Sequence, residues 1–178
     1  MANITGYNRK LASLLKKHQL ADDVTLAPLL EKCAKEGLLL ATAVVTEGLL
    51  DEMTLIGLVS EDSTWPALDL DKMRIDLDEL KSLNHGNLPV EEEIAKFNVV
   101  MPLAICGEFL TLAVANPYDV ILIDNLKLQL GKQILPVVST ERAIMKAIES
   151  TYHAQEKAME QLMSDLPQDD DIDLGDEG

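Results

Sequence analysis

The stretch that decides the fold is residues 102–138, PLAICGEFLTLAVANPYDVILIDNLKLQLGKQILPVV. Two apolar runs, residues 99–103 and 110–114, flank Gly107-Glu108 and predict a β-hairpin. Asn116-Pro117 then breaks the extended pattern, so the second strand is expected to end there. The first half of the stretch therefore predicts two antiparallel strands followed by a loop.

The second half of the stretch predicts a helix and a third strand. Asp119 is placed to cap the helix VILIDNLKLQL, and Gly131 is placed to end it. Residues 134–138 form the next strand, after which Ser139-Thr140-Glu141 caps a last helix over residues 142–153. The order strand, strand, helix, strand, helix predicts a small α+β sandwich.

The chain before residue 63 is helical in its apolar period and contains an internal repeat with an offset of 29 residues. Asp22 coincides with Asp51 as an N-cap, and the apolar pairs are Leu11 with Leu40, Ala12 with Ala41, Leu15 with Val44, Leu20 with Leu49, Leu26 with Leu55 and Leu30 with Val59. Neither copy could bury its apolar face alone, so the two copies predict a small four-helix unit. Chance similarity between two amphipathic helix pairs is the alternative.

Prolines and glycines set the other boundaries. Pro28 predicts that the second helix starts late or kinks, and Gly37 is expected to stop it. Trp65-Pro66 starts an extended segment, and Pro89 predicts the start of a helix that runs to Lys96. The predicted organisation is a helical tandem-repeat unit at 1–63, an α+β docking unit at 64–155, and a helix end with an acidic tail at 156–178.

Composition excludes several function classes. The net charge of −16 argues against nucleic acid and anionic membrane surfaces as partners. Seven of the acidic residues follow Ser164, so the rest of the chain still carries −9, and the sequence LPQDDDIDLGDEG predicts a disordered tail or linker. A hydrophobic fraction of 47% supports a packed core. No apolar run reaches a membrane-spanning length and the N-terminus has no features of a secretory signal, which predicts a cytoplasmic protein.

No residue set indicates catalysis or a metal site. Cys33 and Cys106 are expected to be two buried thiols, with a disulfide or metal site as the alternative. The histidines show no ligand spacing. Gly131-Lys132-Gln133 comes nearest to a phosphate-binding GxxxxGK[ST] loop, but the upstream glycine and the hydroxyl residue are missing. The predicted catalytic and metal-binding sets are therefore empty.

The series of motifs resembles the N-terminal domain of the type II secretion and type IV pilus assembly ATPases, the GspE, PilB and MshE group. The resemblance covers residues 8–155. It rests on Pro102-Leu103, the run LTLAVANP at residues 110–117, Ile123-Asp124-Asn125-Leu126, Gly131, Pro136-Val137, Tyr152, the LDL at residues 68–70 and the helical repeat. It implies that this chain docks to the cytoplasmic part of an inner-membrane platform protein. The acidic tail favours a piece excised from a larger ATPase over a stand-alone protein.

The resemblance also implies a nucleotide site, because the repeat of the MshE-like subset binds cyclic di-GMP through an RLGxxL(V)xxG…Q pattern. The Arg, first Gly, second Gly and Gln positions correspond here to Lys10, Ala12, Gln19 and Cys33 in copy one. In copy two they correspond to Leu39, Ala41, Gly48 and Asp62. Only Gly48 matches; Lys10 lacks the planar fork of arginine, Leu39 offers no polar contact, and Asp62 would repel phosphate.

The expected function is thus a non-catalytic interaction domain that docks a secretion or pilus ATPase motor to its platform protein. Its partners would be that platform protein and the motor domain of its own ATPase, with no nucleic acid and no direct membrane insertion. No cofactor is expected. The alternative is a cyclic di-GMP receptor whose degenerate site comprises Lys10, Cys33, Leu39 and Asp62.

Overall fold

A computed structural model describes residues 4–164, so the predicted acidic tail lies outside the described residues. The elements in chain order are α1 (Ile4–Lys17), α2 (Asp23–Glu36), α3 (Leu40–Thr46), α4 (Glu52–Ser63), a single 3-10 turn (Leu70–Lys72), α5 (Leu77–Leu83), α6 (Glu92–Asn98), β1 (Val100–Cys106), β2 (Phe109–Val114), α7 (Val120–Leu130), β3 (Gln133–Val138) and α8 (Glu141–Ser164). The predicted α+β class is confirmed, with a helical repeat followed by a small sheet and its helices.

Helices α1–α4 share one aliphatic core, as the repeat predicted. Leu11 and Leu40 occupy equivalent positions in the two copies, and both are fully buried in this core. The core also contains Val138 from β3, and Tyr118 from the β2–α7 loop packs on its edge. Residues of the α+β unit therefore cover part of the helical core.

The sheet has the strand order β1-β2-β3. Strands β1 and β2 are antiparallel, with Val100 opposite Val114, and this confirms the predicted hairpin. Strands β2 and β3 are parallel because α7 provides the crossover between them. Ala67, in the predicted extended segment, adds a parallel bridge to Val138.

A second core lies between the sheet and the helices that follow the repeat. Ile144 and Ile148 of α8 are fully buried in it, together with Leu110 and Leu112 of β2. The side chains in this core are mostly aliphatic, as the low aromatic content of the sequence requires. Helix α8 continues past the stretch over residues 142–153 to Ser164, so the predicted helix end after residue 155 belongs to the same helix.

Two helix starts predicted near prolines were wrong. Helix α2 begins at Asp23, immediately after its N-cap Asp22, and contains Pro28 in its interior. The cap determines where the helix starts. The helix lacks one backbone hydrogen bond at Pro28, because the proline nitrogen has no hydrogen to donate. Helix α6 begins at Glu92, after Pro89 and Val90. Val90 is buried and its carbonyl accepts a hydrogen bond from the Tyr152 hydroxyl at 2.7 Å, which holds this residue outside the helix.

The prediction of two buried thiols holds for Cys33 and is wrong for Cys106. Cys33 is fully enclosed in the helical core. Cys106 is exposed because it is the last residue of β1, paired with the exposed Phe109 at the hairpin end of the sheet. Apolar neighbours in the sequence did not reveal that this end of the sheet has an uncovered face.

Candidate functional site

The turn between the two helices of each repeat has the same backbone in both copies. Gln19 has φ 57° and Gly48, its equivalent, has φ 72°, so both adopt the left-handed conformation. The amide of Leu20 donates to the Leu15 carbonyl at 2.9 Å, and the amide of Leu49 donates to the Val44 carbonyl at 3.0 Å. A left-handed residue therefore stands at the position of the motif's second glycine in both copies, once with a glutamine that adopts a conformation glycine favours.

The caps that follow these turns also repeat. The Asp22 carboxylate accepts from the amide of Thr25 at 2.8 Å, and the Asp51 carboxylate accepts from the amide of Thr54 at 2.9 Å. In both copies the threonine hydroxyl donates to the same aspartate. The repeat is thus a structural repeat, and chance similarity between two amphipathic helix pairs does not account for it.

Two of the four predicted ligand positions lie side by side. Lys10, at the arginine position of copy one, forms an ion pair with Asp62, at the glutamine position of copy two, with Nζ and Oδ2 3.1 Å apart. The Tyr118 hydroxyl donates to the same Oδ2 at 2.8 Å. The one positive and the one negative group of the degenerate pattern therefore neutralise each other.

Tyr118 completes this cluster from the β2–α7 loop. The ammonium of Lys10 lies 5.6 Å from the centroid of its ring, and the ring of Tyr7 packs against it at 6.3 Å between centroids. The Tyr118 hydrogen bond, followed by Lys10, holds the pKa of Asp62 below its usual value. Burial and the same carboxylate raise the pKa of Tyr118. These shifts keep Asp62 charged and Tyr118 neutral at neutral pH.

The other two predicted positions have no polar side chain to offer. Cys33 is buried, its carbonyl accepts from the amide of Leu38 at 3.0 Å, and burial raises the pKa of its thiol. Leu39 is half-buried against the helical core. The structure therefore brings Lys10 and Asp62 together into a charged cluster, whereas Cys33 and Leu39 stand in apolar surroundings.

A second polar cluster joins the helical unit to the α+β unit. Arg142, near the start of α8, donates two hydrogen bonds to the Glu52 carboxylate of α4, at 2.6 Å and 2.5 Å, and a third to Asp71 at 2.6 Å. Lys146 donates to the other oxygen of Asp71 at 3.0 Å. Such bidentate, charge-assisted contacts fix orientation better than a single ion pair does.

The charges of this cluster shift one another. Hydrogen bonds from Arg142 and Lys146 lower the pKa of Asp71 to about 2. The hydrogen bonds from Arg142 also hold the pKa of Glu52 below its usual value. Sequence reasoning did not find this cluster, because its hydrogen-bonded partners are separated by 71 to 90 positions and no local pattern pairs them.

The buried Asn8 is a further residue that the sequence did not reveal. Its Oδ1 accepts from the amide of Leu40 at 2.6 Å, and its Nδ2 donates to the carbonyl of Leu38 at 3.0 Å. Helix α3 has no capping side chain of its own at Leu39, so Asn8 of α1 serves its first turn. The contact joins copy one to copy two at their junction.

The residues nearest to a phosphate-binding loop have a structural explanation. Gly131 has φ 63° and is the left-handed C-cap of α7. The ammonium of Lys132 donates to the carbonyl of Gly107 at 3.1 Å, which ties β3 to the hairpin turn. Among residues 4–164, none of the helices is both long and apolar enough to cross a membrane.

Residues 65–158, just over half of the chain, match the MshEN domain family. The chain belongs to this family. It is also 29% identical over 163 residues to the type IV pilus assembly ATPase PilB of Myxococcus xanthus (strain DK1622), a match that covers 92% of this chain. Because the match covers only 28% of PilB, the chain spans about a quarter of the length of this relative. The chain corresponds to the N-terminal domain of such ATPases.

Solved structures show the same fold for this MshEN domain. A structure of MshE with cdg is 20% identical, with a TM-score of 0.61, and the match covers 80% of this chain and 98% of that one. The N-terminal domain of XpsE is 18% identical, with a TM-score of 0.56, and the match covers 84% of this chain and 96% of that one. These matches extend beyond residues 65–158, so the fold similarity includes part of the helical repeat.

Proposed function

We propose that this MshEN domain is a docking module, which attaches a secretion or pilus ATPase motor to the cytoplasmic part of an inner-membrane platform protein. In this proposal the domain is non-catalytic, takes no cofactor, and is held at the cytoplasmic side of the membrane by its protein partner. Family membership and the similarity to PilB support the assignment to such a machine.

One observation carries the choice of docking over nucleotide binding. Lys10 would be the only cation among the four ligand-motif positions, and it is already paired with Asp62 and placed beside the ring of Tyr118. A bound phosphate would have to displace a carboxylate that two donors hold in place. The cost of separating this cluster disfavours an anionic ligand at this place.

Docking also benefits from a fixed arrangement of the two units. Arg142 joins α4 to α8 through Glu52, and Val138 of β3 is buried in the helical core. Because these contacts join the two units, the relative position of the units, and with it the surface available to a partner, is fixed in the free domain. Such preorganisation reduces the entropy cost of binding.

A binding measurement with purified proteins tests this proposal. The full chain would be immobilised and titrated with the cytoplasmic domain of the platform protein from the same machine, using biolayer interferometry. We expect saturable binding with a Kd of about 10 µM or tighter, which corresponds to about −7 kcal/mol. The variant Lys10→Met should bind equally well, since Lys10 serves the internal cluster. Absence of binding at tens of micromolar would overturn the docking proposal.

The second candidate is a cyclic di-GMP receptor, which one specific observation favours. The left-handed turns at Gln19 and Gly48 are retained in both copies, and the fold is that of the MshE structure with cdg. Isothermal titration calorimetry with cyclic di-GMP decides between the candidates. We expect no measurable heat of binding; a micromolar isotherm that Gln19→Gly strengthens would establish the receptor instead.

A further inference from the structure

Helix α7 carries large apolar side chains on its outer side as well as on its buried side. Ile123 and Leu126 face the core. Val120, Ile121 and Leu128 lie on the opposite side, and Ile121 and Leu128 are 75% and 85% exposed. Exposed Asp124, Asn125 and Gln129 lie on the outer side as well, so its apolar part is the patch formed by Ile121 and Leu128. An exposed apolar patch with polar residues at its rim is typical of an interaction surface.

A groove adjoins this face where the two units meet. It has a volume of about 350 Å³, and its walls come from the helical unit through Ile4 and Leu39 and from the α+β unit through Phe97 and Ile121. Phe97 is 79% exposed, although it is one of only two phenylalanines in the chain. Large aromatic side chains with this exposure beside a concave surface are typical of binding sites.

The charges around the groove select the chemistry of what fills it. Asp119 and Glu141 line it, and its described lining residues include no lysine, arginine or histidine. Asp119 caps α7 through the amide of Leu122, and Glu141 accepts from the Thr42 hydroxyl at 3.3 Å. Within the described part of the chain, neither carboxylate forms an ion pair, so both are available to a cation from outside.

We propose that this groove, together with the outer face of α7, binds an amphipathic helix of a partner protein that carries an apolar ridge flanked by lysine or arginine. An apolar ridge would cover Phe97 and Ile121, and a flanking cation would reach Glu141. This inference rests on the proposed docking function and specifies its surface and the chemistry of its partner.

Charge also argues against the two occupants that this protein could itself supply. The segment 165–178 carries seven acidic residues and no basic one, so Asp119 and Glu141 would repel it. A second copy of the chain would bring a net charge of −16 to the contact. A basic helix from another protein is the occupant that the charges favour.

Synthetic peptides provide the probe. Two fluorescein-labelled helical peptides of about four turns would share one leucine ridge, the first with lysine flanks and the second with glutamate flanks. Fluorescence anisotropy against the full chain should show at least about tenfold tighter binding of the lysine peptide. Backbone NMR shifts induced by that peptide should map to residues 97–99 and 119–125. Equal affinities, or shifts elsewhere, would overturn the proposal.

Matched variants separate groove binding from general attraction to an acidic protein. Phe97→Ser and Ile121→Ser should each weaken the lysine peptide about tenfold. The control Val24→Ser changes a side chain that is 83% exposed on α2, away from the groove, and should leave the affinity unchanged. Glu141→Gln should reduce the salt dependence of binding. Unchanged affinity in both groove variants would contradict the inference, as would a concentration-dependent dimer that Phe97→Ser abolishes.

The same variants distinguish failure of this inference from failure of the docking proposal. If Phe97→Ser and Ile121→Ser still bind the platform domain as the wild type does, docking stands and the groove is not its site. If the wild type binds the lysine peptide in the groove but not the platform domain, the groove stands and the proposed partner is wrong.

Discussion

The two copies of the helical repeat have the same turn and cap but different side chains at the ligand-motif positions. Lys10 and Asp62 meet as an ion pair, whereas their counterparts Leu39 and Cys33 are apolar and packed against the helical core. The turn at Gln19 or Gly48 and the cap at Asp22 or Asp51 are preserved in both. The two copies therefore share the features that shape the backbone and differ in the side chains at the ligand-motif positions.

This difference shows which positions carry the fold. A left-handed turn and an N-cap determine where each second helix starts, and the fold needs them whatever the repeat binds. The side chains at the motif positions do not set this backbone, so the two copies can differ there without a change of fold. Here Lys10 and Asp62 both contact Tyr118 of the α+β unit.

The largest expected change in stability comes from core substitutions, which test whether the two copies contribute equally to the helical core. Leu11→Ala and Leu40→Ala each remove a fully buried side chain at equivalent positions. Each should lower the free energy of unfolding by about 3 kcal/mol, through lost burial and the cavity that remains. Urea denaturation would measure this loss of stability, provided that the dependence of the unfolding free energy on urea concentration is the same in variant and wild type. A loss in one variant of less than half that in the other would show that the copies are not equivalent in the core.

The next prediction concerns the contact that only copy one provides. Asn8→Ala removes both side-chain hydrogen bonds to the α2–α3 junction and leaves the Leu40 amide and the Leu38 carbonyl unpaired. The cost should be about 2 kcal/mol, measurable by thermal denaturation. Asn87→Ala, at an exposed asparagine, is the control and should change stability by less than about 0.5 kcal/mol. Equal effects of the two variants would show that the buried contact is not important for stability.

Substitutions in the left-handed turns should act in opposite directions. Gln19→Gly should stabilise the protein and Gly48→Ala should destabilise it, each by about 1 kcal/mol, because a β-carbon is unfavourable at positive φ. A methyl group at Gly48 would touch nothing within 4 Å, so the cost is conformational. Gly57→Ala, inside α4 with equally open space, is the control and should stabilise. The same sign at positions 19 and 48 would contradict the equivalence of the turns.

The smallest expected change in stability concerns the ion pair between Lys10 and Asp62, which the apolar residues at the equivalent positions cannot form. The pKa of Asp62 is lowered in the folded state, so its contribution to stability is present above pH 3.8, its ordinary value, and is lost as the pH falls through the lowered pKa. Asp62→Asn should therefore cost a fraction of a kcal/mol, roughly 0.5, at pH 7 and less near pH 3. Melting curves across this range would show a shrinking difference from the wild type.

A double-mutant cycle identifies the source of this effect. Tyr118→Phe removes the hydrogen bond that contributes most to the lowered pKa of Asp62, so Asp62→Asn should cost less in that background. A difference between Asp62→Asn and the wild type that grows on acidification would contradict the assigned direction of the pKa shift.

Much of the secondary structure could be predicted because local chemistry determines it. Asp22, Asp51 and Asp119 cap helices in the structure as the sequence indicated. The prediction from Pro89 was wrong because helix α6 begins only at Glu92, and Val90, which precedes it, is bound by a hydrogen bond from the Tyr152 hydroxyl that no local pattern reveals. The prediction that Cys106 is buried was wrong because its exposure depends on which face of the sheet is covered. The residues next to it in the sequence do not determine this.

The sequence alone determined the elements, the repeat with its turns and caps, and the family, since these follow from spacing and from residue types that act on their own backbone. Only the tertiary structure decided that Lys10 contacts Asp62 and Tyr118. The same holds for Arg142, which joins the two units, and for Phe97 and Ile121, which border an acidic groove. The physical reason is distance along the chain. These contacts join residues that are separated by tens of positions, and packing brings them together where no local pattern could.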